Sequence, residues 1–186
     1  LKQRFEKLYW CYTPQKPSSL WGWLFVSLIM DYRLYKPKDF EPLYAVEESC
    51  FEPPLRFSRG AMRKLLRSEH TATWIAEEDG QIAGFAIVEW AEEAGLTIAY
   101  IPTIEVAPAR RRAGVGGELL RLLEQSAQRA GARVIWLHVD EANAAAIHLY
   151  ESHGYQREGR QTDFYPRGRA ALVYARRLDT VSGSSG

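Results

Sequence analysis

From Asp31 onward the hydrophobic positions of the chain alternate between two periods, and each switch marks an element. Residues 31–36 read as a strand. Phe40, Leu43, Tyr44 and Val46, continued by Glu47 to Phe51, recur at helical spacing until Pro53-Pro54 breaks the helix. Ser58 is placed to cap a second helix carrying Met62, Leu65 and Leu66. Thr71 to Glu77 and Ile82 to Trp90 are β-rich runs separated by Glu78-Asp79-Gly80-Gln81, where Asp-Gly is a hairpin signal. Leu96 to Val106 is a third long strand. Pro102 in its middle has no N–H to donate, which predicts a bulge or bend there. Gly114 to Ala130 is helical, with Val115, Leu119, Leu122, Leu123 and Ser126 on one face and Gly131 ending it. Arg133 to Val139 suits a strand buried on both faces, Asn143 to Ser152 a helix, and Tyr155 to Gln161 and Ala170 to Leu178 two more strands. The order βααβββαβαββ, without internal repeats, predicts an α/β (α+β) domain over residues 30–178: a mixed, mostly antiparallel sheet with helices on both faces.

Composition adds an asymmetry to this picture. The 186 residues hold 24 Lys+Arg and 23 Asp+Glu, with 46% hydrophobic residues, which excludes a disordered or collagen-like chain. Residues 1–29 carry four Lys/Arg against one acid and three of the six tryptophans, so they hold +3 of a net +1 and leave −2 for the rest. That remainder lacks the basic excess of a nucleic-acid-binding domain. Pro17 to Met30 is an uncharged run of 14 residues, short of the roughly 20 needed to span a bilayer, so no transmembrane segment is expected. No small-residue cleavage site follows it either. The chain begins with Leu1 and its first methionine is Met30, so residues 1–29 are expected to be an extension outside the domain, with translation starting at or near Met30. Residues 179–186 read as a flexible tail. Cys11 and Cys50 form no disulfide or metal pattern, which makes a reducing cytoplasm the expected location.

The stretch with most chemistry runs from Val106 through Arg110-Arg111-Arg112-Ala113-Gly114-Val115-Gly116-Gly117 into a helix. The first amides of a helix have no intrahelical acceptors, and with the positive end of the helix dipole they form an anion site. Glycines let a ligand come close to the backbone, and arginines add bidentate phosphate donors. Three alternatives compete. A dinucleotide fingerprint would need a glycine where Leu119 stands, and a P-loop would need Lys-Ser/Thr after the glycines. A solvated arginine run on a surface turn is the plainest.

Arg111-Arg112-Ala113-Gly114-Val115-Gly116 resembles the Q/R-x-x-G-x-G/A signature of the GNAT N-acetyltransferases. Residues 135–160 are similar to that superfamily's second half: a strand, an Asn-x-x-Ala-x-x-x-Tyr helix, then a Gly-Tyr/Phe turn. The resemblance covers Asp31 to Leu178 and is greatest to protein N-terminal acetyltransferases, including the ribosomal-protein alanine enzymes, which share the segment around Asn143 to Ile147 and the later Tyr165-Pro166.

The resemblance implies the GNAT fold, acetyl-CoA as co-substrate and no metal. Ile104, Glu105 and Val106 would lie along the pantetheine arm, with the Val106 amide polarising the thioester carbonyl. Arg111, Arg112, Ala113, Gly114, Val115, Gly116 and Gly117 would hold the pyrophosphate. Asn143 would contact the cofactor, with a plain N-cap as its other reading. A protein α-amino group, with a pKa of about 7.7–8.0, is mostly protonated at neutral pH and needs a base. Bacterial alanine acetyltransferases carry a glutamate where this chain has His138, but one eukaryotic group pairs Leu-His-Val with a tyrosine in Tyr-Ile-x-Thr, as Leu137-His138-Val139 and Tyr100-Ile101-Pro102-Thr103 do here. His138 and Tyr100 are thus the expected holders of a water that takes the ammonium proton. Tyr150 is the expected donor to the leaving thiolate, and Glu105 the alternative base. Phe51, Pro53 and Leu55 in one loop, and Phe164 and Tyr165 in another, would flank the acceptor. The acceptor is expected to be a protein N-terminus. A small amine or lysine side chain, or a catalytically weak acyl-CoA-binding role suggested by the missing glutamate, are the alternatives.

Overall fold

The computed structural model describes residues 30–179. The expected leader, with Cys11, and the tail beyond Asp179 lie outside the described residues. The elements follow the expected order: β1 (Asp31–Leu34), α1 (Phe40–Cys50), α2 (Arg59–Leu66), β2 (Thr71–Glu78), β3 (Gln81–Glu93), β4 (Leu96–Val106), α3 (Val115–Arg129), β5 (Val134–Asp140), α4 (Ala144–Ser152), β6 (Gln156–Tyr165) and β7 (Arg169–Arg177). They build one seven-stranded sheet in the order β1-β2-β3-β4-β5-β7-β6, antiparallel except where β4 meets β5.

Local chemistry explains most boundaries. Asp79-Gly80 is a two-residue turn with both φ angles positive (50° and 76°), the geometry that matches strand twist in a tight hairpin. Ala94-Gly95 repeats it between β3 and β4 (50° and 79°), so β3 runs three residues past Trp90. Ser58 Oγ accepts from the Ala61 amide at 3.2 Å and starts α2.

Two apolar clusters cover the two faces of the sheet. Leu43 and Met62 from α1 and α2 pack on Ile75, Phe85 and Ile87. Leu119, Leu120 and Leu123 from α3 pack on Ala76, Ala86, Val88, Ala99, Ile101, Ile135 and Leu137. The period of two is plain in β3, where Phe85 and Ile87 face α1 while Ala86 and Val88 face α3. Ser126, a buried polar residue of α3, accepts from Trp74 Nε1 at 2.9 Å and donates to the Leu122 carbonyl.

Gly84 of β3 sits against the backbone of β4 opposite Val106. A Cβ built there would lie 2.6 Å from the Glu105 carbonyl oxygen and 3.3 Å from Val106 Cα, both backbone atoms that cannot swing aside. Gly84→Ala is therefore expected to cost about 1–3 kcal/mol of stability, the usual range for overpacking, read as a lower denaturant midpoint. An unchanged midpoint would contradict this account of the strand contact.

β6 departs from expectation. It continues four residues beyond Gln161, so Phe164 and Tyr165 stand at the end of a strand rather than in a loop. Its residues 156–164 are almost all exposed, so no inward apolar alternation announces the strand. Pairing with β7 makes it one: Gln161 opposes Ala171 and, after an irregularity, Tyr165 opposes Arg169.

Candidate active site

The site begins with a break in the sheet. β4 and β5 pair in parallel only from Ile98↔Val134 to Ile101↔Leu137. Beyond that point β4 stays with β3 and β5 stays with β7, leaving a gap between them. Pro102 is the first residue past the paired stretch. Across β3 the register slips there, with Glu89 opposite Tyr100 and Ile87 opposite Thr103, so β4 carries one residue more than its partner. This is the bulge that the proline predicted.

The extra residue reverses the sidedness of everything after it. Tyr100, aligned with Glu89, faces the α1 side, and after the bulge so do Thr103 and Glu105, aligned with Ile87 and Phe85. Ile104 and Val106 turn to the α3 side. Ala107 N donates to Ala83 O at 2.8 Å, so by alternation the Val106 amide and carbonyl point away from β3 into the gap. Such an amide is free to meet a ligand carbonyl.

A cavity of about 560 Å³ occupies the gap. Its lining brings together Tyr100, Ile104, His138, Asn143, Tyr150, Phe51, Leu55, Phe164 and Tyr165, contributed by five separate parts of the chain. Thr103 of the Tyr-Ile-x-Thr motif also lines it, as do Phe57 and Arg169, to which the sequence assigned no role. Pro53 is exposed and does not line it.

Tyr100, His138 and Phe164 of its lining belong to an aromatic row that also includes Trp136. Tyr100 lies 4.6 Å from Trp136, Trp136 lies 5.2 Å from His138, and Phe164 stacks on His138 at 4.0 Å and 17°. Tyr100 Oη and His138 Nδ1 are 3.3 Å apart, and His138 Nε2 meets Gln161 Oε1 at 3.1 Å. Burial pushes the His138 pKa below its ordinary value, with Gln161 opposing that shift. Burial, then the Glu89 carboxylate, pushes the Tyr100 phenol up. Both are therefore neutral near pH 7. Tyr150 is buried, with its ring 5.6 Å from Tyr155, and burial raises its pKa far above that of a free phenol. Tyr165 is pushed up to about 12, first by burial.

Glu105 is turned beneath the strand. It is 2% exposed and faces the fully buried Glu47 of α1. Thr103 Oγ1 donates to Glu105 Oε1 at 2.8 Å, and the Phe57 amide donates to Glu47 Oε1 at 2.7 Å. The remaining oxygens, both Oε2, are buried without another partner, an arrangement that holds when one proton is shared between the two carboxyl groups. Burial, followed by Glu47, pushes the Glu105 pKa up to about 10. Tyr44 Oη donates to the Phe57 carbonyl, so α1 grips both backbone groups of Phe57 at the edge of the cavity.

The glycine loop divides its labour. Gly114 has φ 79° and immediately precedes α3, whose first amides have no intrahelical acceptor and no side-chain cap. Arg110 is ion-paired with Glu78. Arg111 Nε donates to the Val106 carbonyl at 3.1 Å, and Cys50 Sγ lies 3.5 Å from the same oxygen. Arg112 has φ 68° and an exposed side chain with no ion pair among those described. Val115 is buried in the core. Gly116 and Gly117 face α4: a Cβ would meet Leu149 at 3.5 Å from Gly116 and His153 at 3.2 Å from Gly117. These two glycines let α4 pack close to α3. Asn143 Oδ1 accepts from the Ala146 amide at 3.1 Å and caps α4, while its side also lines the cavity.

Open helix amides, an exposed arginine and an outward strand backbone beside a gap fit an extended ligand with a phosphate group. Among the described residues no cluster of three or more His, Cys, Asp or Glu side chains is placed to hold a metal, and no helix is long and apolar enough to cross a membrane.

The sheet split at a mid-strand bulge and the glycine loop leading into the next helix are the two features that define the fold around the site. Residues 38–155 match the acetyltransferase (GNAT) family, and the chain belongs to it. It is 44% identical over 78 residues to streptothricin acetyltransferase of Streptomyces lavendulae, covering 41% of this chain and 40% of that protein. It is 36% identical over 89 residues to the ribosomal protein bS18-alanine N-acetyltransferase of Escherichia coli K12, covering 48% of this chain and 57% of that protein. The matched stretch thus spans about half the length of these relatives. The fold is that of the crystal structure of the ribosomal-protein-S18-alanine N-acetyltransferase from Escherichia coli, with TM-score 0.73, 24% identity, and coverage of 85% of this chain and 99% of that one. It is also that of Arabidopsis thaliana NAA60 in complex with acetyl-CoA, with TM-score 0.72, 20% identity, and coverage of 81% and 99%.

Proposed function

We propose that this chain transfers the acetyl group of acetyl-CoA to an amine, and that the amine is the α-amino group of a protein N-terminus. The observation that carries this reading is the pair Tyr100–His138 at the mouth of the β4–β5 gap, 3.3 Å apart and both neutral. A neutral imidazole reached through a phenol is a base for an ammonium ion. The Val106 amide supplies one donor for the oxygen that becomes negative as the amine attacks. The Gly114–Gly117 amides and Arg112 hold the pyrophosphate end, while acetyl-CoA supplies the activated acetyl group. Tyr150, kept protonated by burial, supplies a proton to the departing thiolate.

The walls of the acceptor side support a peptide end. Phe51, Leu55 and Phe57 come from the α1–α2 connection, and Phe164 and Tyr165 from the end of β6. Rigid rings on two sides suit an extended chain entering between them, and the N-terminal acetyltransferases named above share this fold.

A small-molecule amine is the second reading, favoured by the 44% identical segment shared with streptothricin acetyltransferase. The test is to incubate the protein with acetyl-CoA and, separately, peptides of varied N-terminal residue, lysine peptides blocked at the N-terminus, and small amines, following free thiol. Turnover is expected with free peptide N-termini and to be lost when the same peptides are blocked. Turnover confined to small amines would replace the first reading by the second. Acetyl-CoA binding with no turnover on any acceptor would overturn both.

A further inference from the structure

Both ring nitrogens of His138 have partners, and the partners differ in kind. Gln161 Oε1, 3.1 Å from Nε2, can only accept a hydrogen bond. Tyr100 Oη, 3.3 Å from Nδ1, can donate one. A neutral imidazole has a single N–H, so with the Gln161 amide oxygen toward the ring the two contacts are satisfied together by hydrogen on Nε2 and the lone pair on Nδ1, whereas the other tautomer would require the amide to turn its NH2 to the ring.

The fold holds this arrangement in place. Gln161 stands on β6, two strands from His138, in the row Asp140–Ala171–Gln161. His138 itself opposes Val173 on β7, and Gln161 lies one row further along, across Ala171, a small and fully buried residue over which the diagonal contact runs. Phe164, three residues along β6, stacks on the ring, and the Trp136 ring meets it edge-on. Turning the ring over would put carbons where Nδ1 and Nε2 stand and would break the stack on the way, so each nitrogen stays with its own partner.

We infer that Gln161 is a positioning residue that holds the His138 proton on Nε2, leaving Nδ1 to Tyr100 and making Tyr100 Oη the atom that receives the acceptor's proton. This deepens the amine-acetylation reading and rests on it. A proton leaving the acceptor ammonium bonds to Tyr100 Oη while the Tyr100 hydroxyl proton passes to His138 Nδ1. The ammonium becomes a neutral amine, Tyr100 ends as it began, and His138 becomes an imidazolium carrying the single positive charge. Gln161 Oε1 accepts from the imidazolium Nε2–H and steadies it. His138 is then a proton store reached through Tyr100, rather than a base in contact with the amine.

The groups that face this pair are few. On β5 they are Trp136 and Asp140, the latter ion-paired with Arg169 of β7. β4 contributes Tyr100 itself, β3 contributes Glu89 beside Tyr100, β6 contributes Gln161 and Tyr165, and α4 contributes Tyr150. A carboxylate at position 161 would be a new charge in contact with the ring.

The test uses the full chain with Gln161→Leu and Gln161→Glu, read by ¹⁵N–¹H ring correlations of His138 and by pH profiles of kcat/KM. The wild type and Gln161→Glu are expected to show the Nε2–H tautomer, and Gln161→Leu a mixture. Gln161→Glu should raise the pKa of the acidic limb by about one unit, as a carboxylate contact does. Gln161→Leu should lower kcat/KM roughly 10-fold, within the range of a proton-transfer contribution, with the KM for acetyl-CoA unchanged. An Nδ1–H tautomer in the wild type, or a Gln161→Leu protein with wild-type tautomer and profile, would overturn the inference. Absence of turnover in the wild type would instead sink the acetylation reading, because the tautomer is read without any substrate.

Discussion

His138→Ala and Tyr100→Phe are each expected to lower kcat/KM for the acceptor by roughly 10–1000-fold, the usual size of an acid–base contribution. Each removes one end of the 3.3 Å contact through which the ammonium proton leaves. Alanine removes the proton store, and phenylalanine removes the hydroxyl that connects the amine to it. The pH dependence has a definite sign. His138 accepts a proton only when neutral, and burial holds its pKa below the ordinary 6.5. In the wild type kcat/KM therefore rises with pH through that lowered value and climbs again as the acceptor ammonium, near 7.7–8.0 in about the usual range, deprotonates. His138→Ala should retain the second limb and lose the first. Full activity in both variants would remove this pair from the mechanism. A KM for acetyl-CoA that rises as steeply as kcat falls would show that the substitutions had disturbed cofactor binding.

The second large effect is on stability, and it lies beneath the site. In the unfolded chain Glu105 ionises near 4.5, whereas in the fold its pKa is pushed up to about 10 by burial and by Glu47. Between these values the folded protein binds a proton that the unfolded chain has released. Stability contributed by this group is thus fully present below pH 4.5 and is lost as pH rises toward 10, by up to about 1.4 kcal/mol per pH unit. Glu105→Gln should remove that dependence. Its amide can accept from Thr103 and donate to Glu47 without titrating. The melting temperature of the wild type is expected to fall between pH 5 and pH 8 relative to that of Glu105→Gln, by on the order of ten degrees if the full proton is involved. Parallel melting curves for the two proteins across that range would show that Glu105 is ionised in the fold. Because Glu47 also accepts from the Phe57 amide, alkaline loosening should be felt early in the α1–α2 connection that walls the acceptor side.

Much of this molecule was legible along the chain, because its signals are local. The order of elements follows from periodicity, Asp79-Gly80 from the φ angles a tight hairpin needs, and Ser58 and Asn143 from capping chemistry. The glycine loop and the residues His138, Tyr100, Tyr150 and Asn143 could be nominated from resemblance, and the four side chains converge on one cavity. β6 could not be read past Gln161, because an exposed strand carries no apolar alternation and exists through its pairing with β7. Gln161 was overlooked for the same reason. It gives no signal until two strands bring it to His138.

By itself, the sequence determined that the chain alternates strand and helix in a fixed order, that a helix opens behind a glycine turn, and that a proline interrupts the fourth strand. Each of these rests on the conformational limits of a few neighbouring residues. Tertiary structure decided which strands adjoin and which face each side chain takes. The single extra residue at Pro102 sends Ile104 and Val106 to the α3 side and buries Glu105 against Glu47 on the other. A side-chain period of two makes that choice binary, and only the register with β3 sets it.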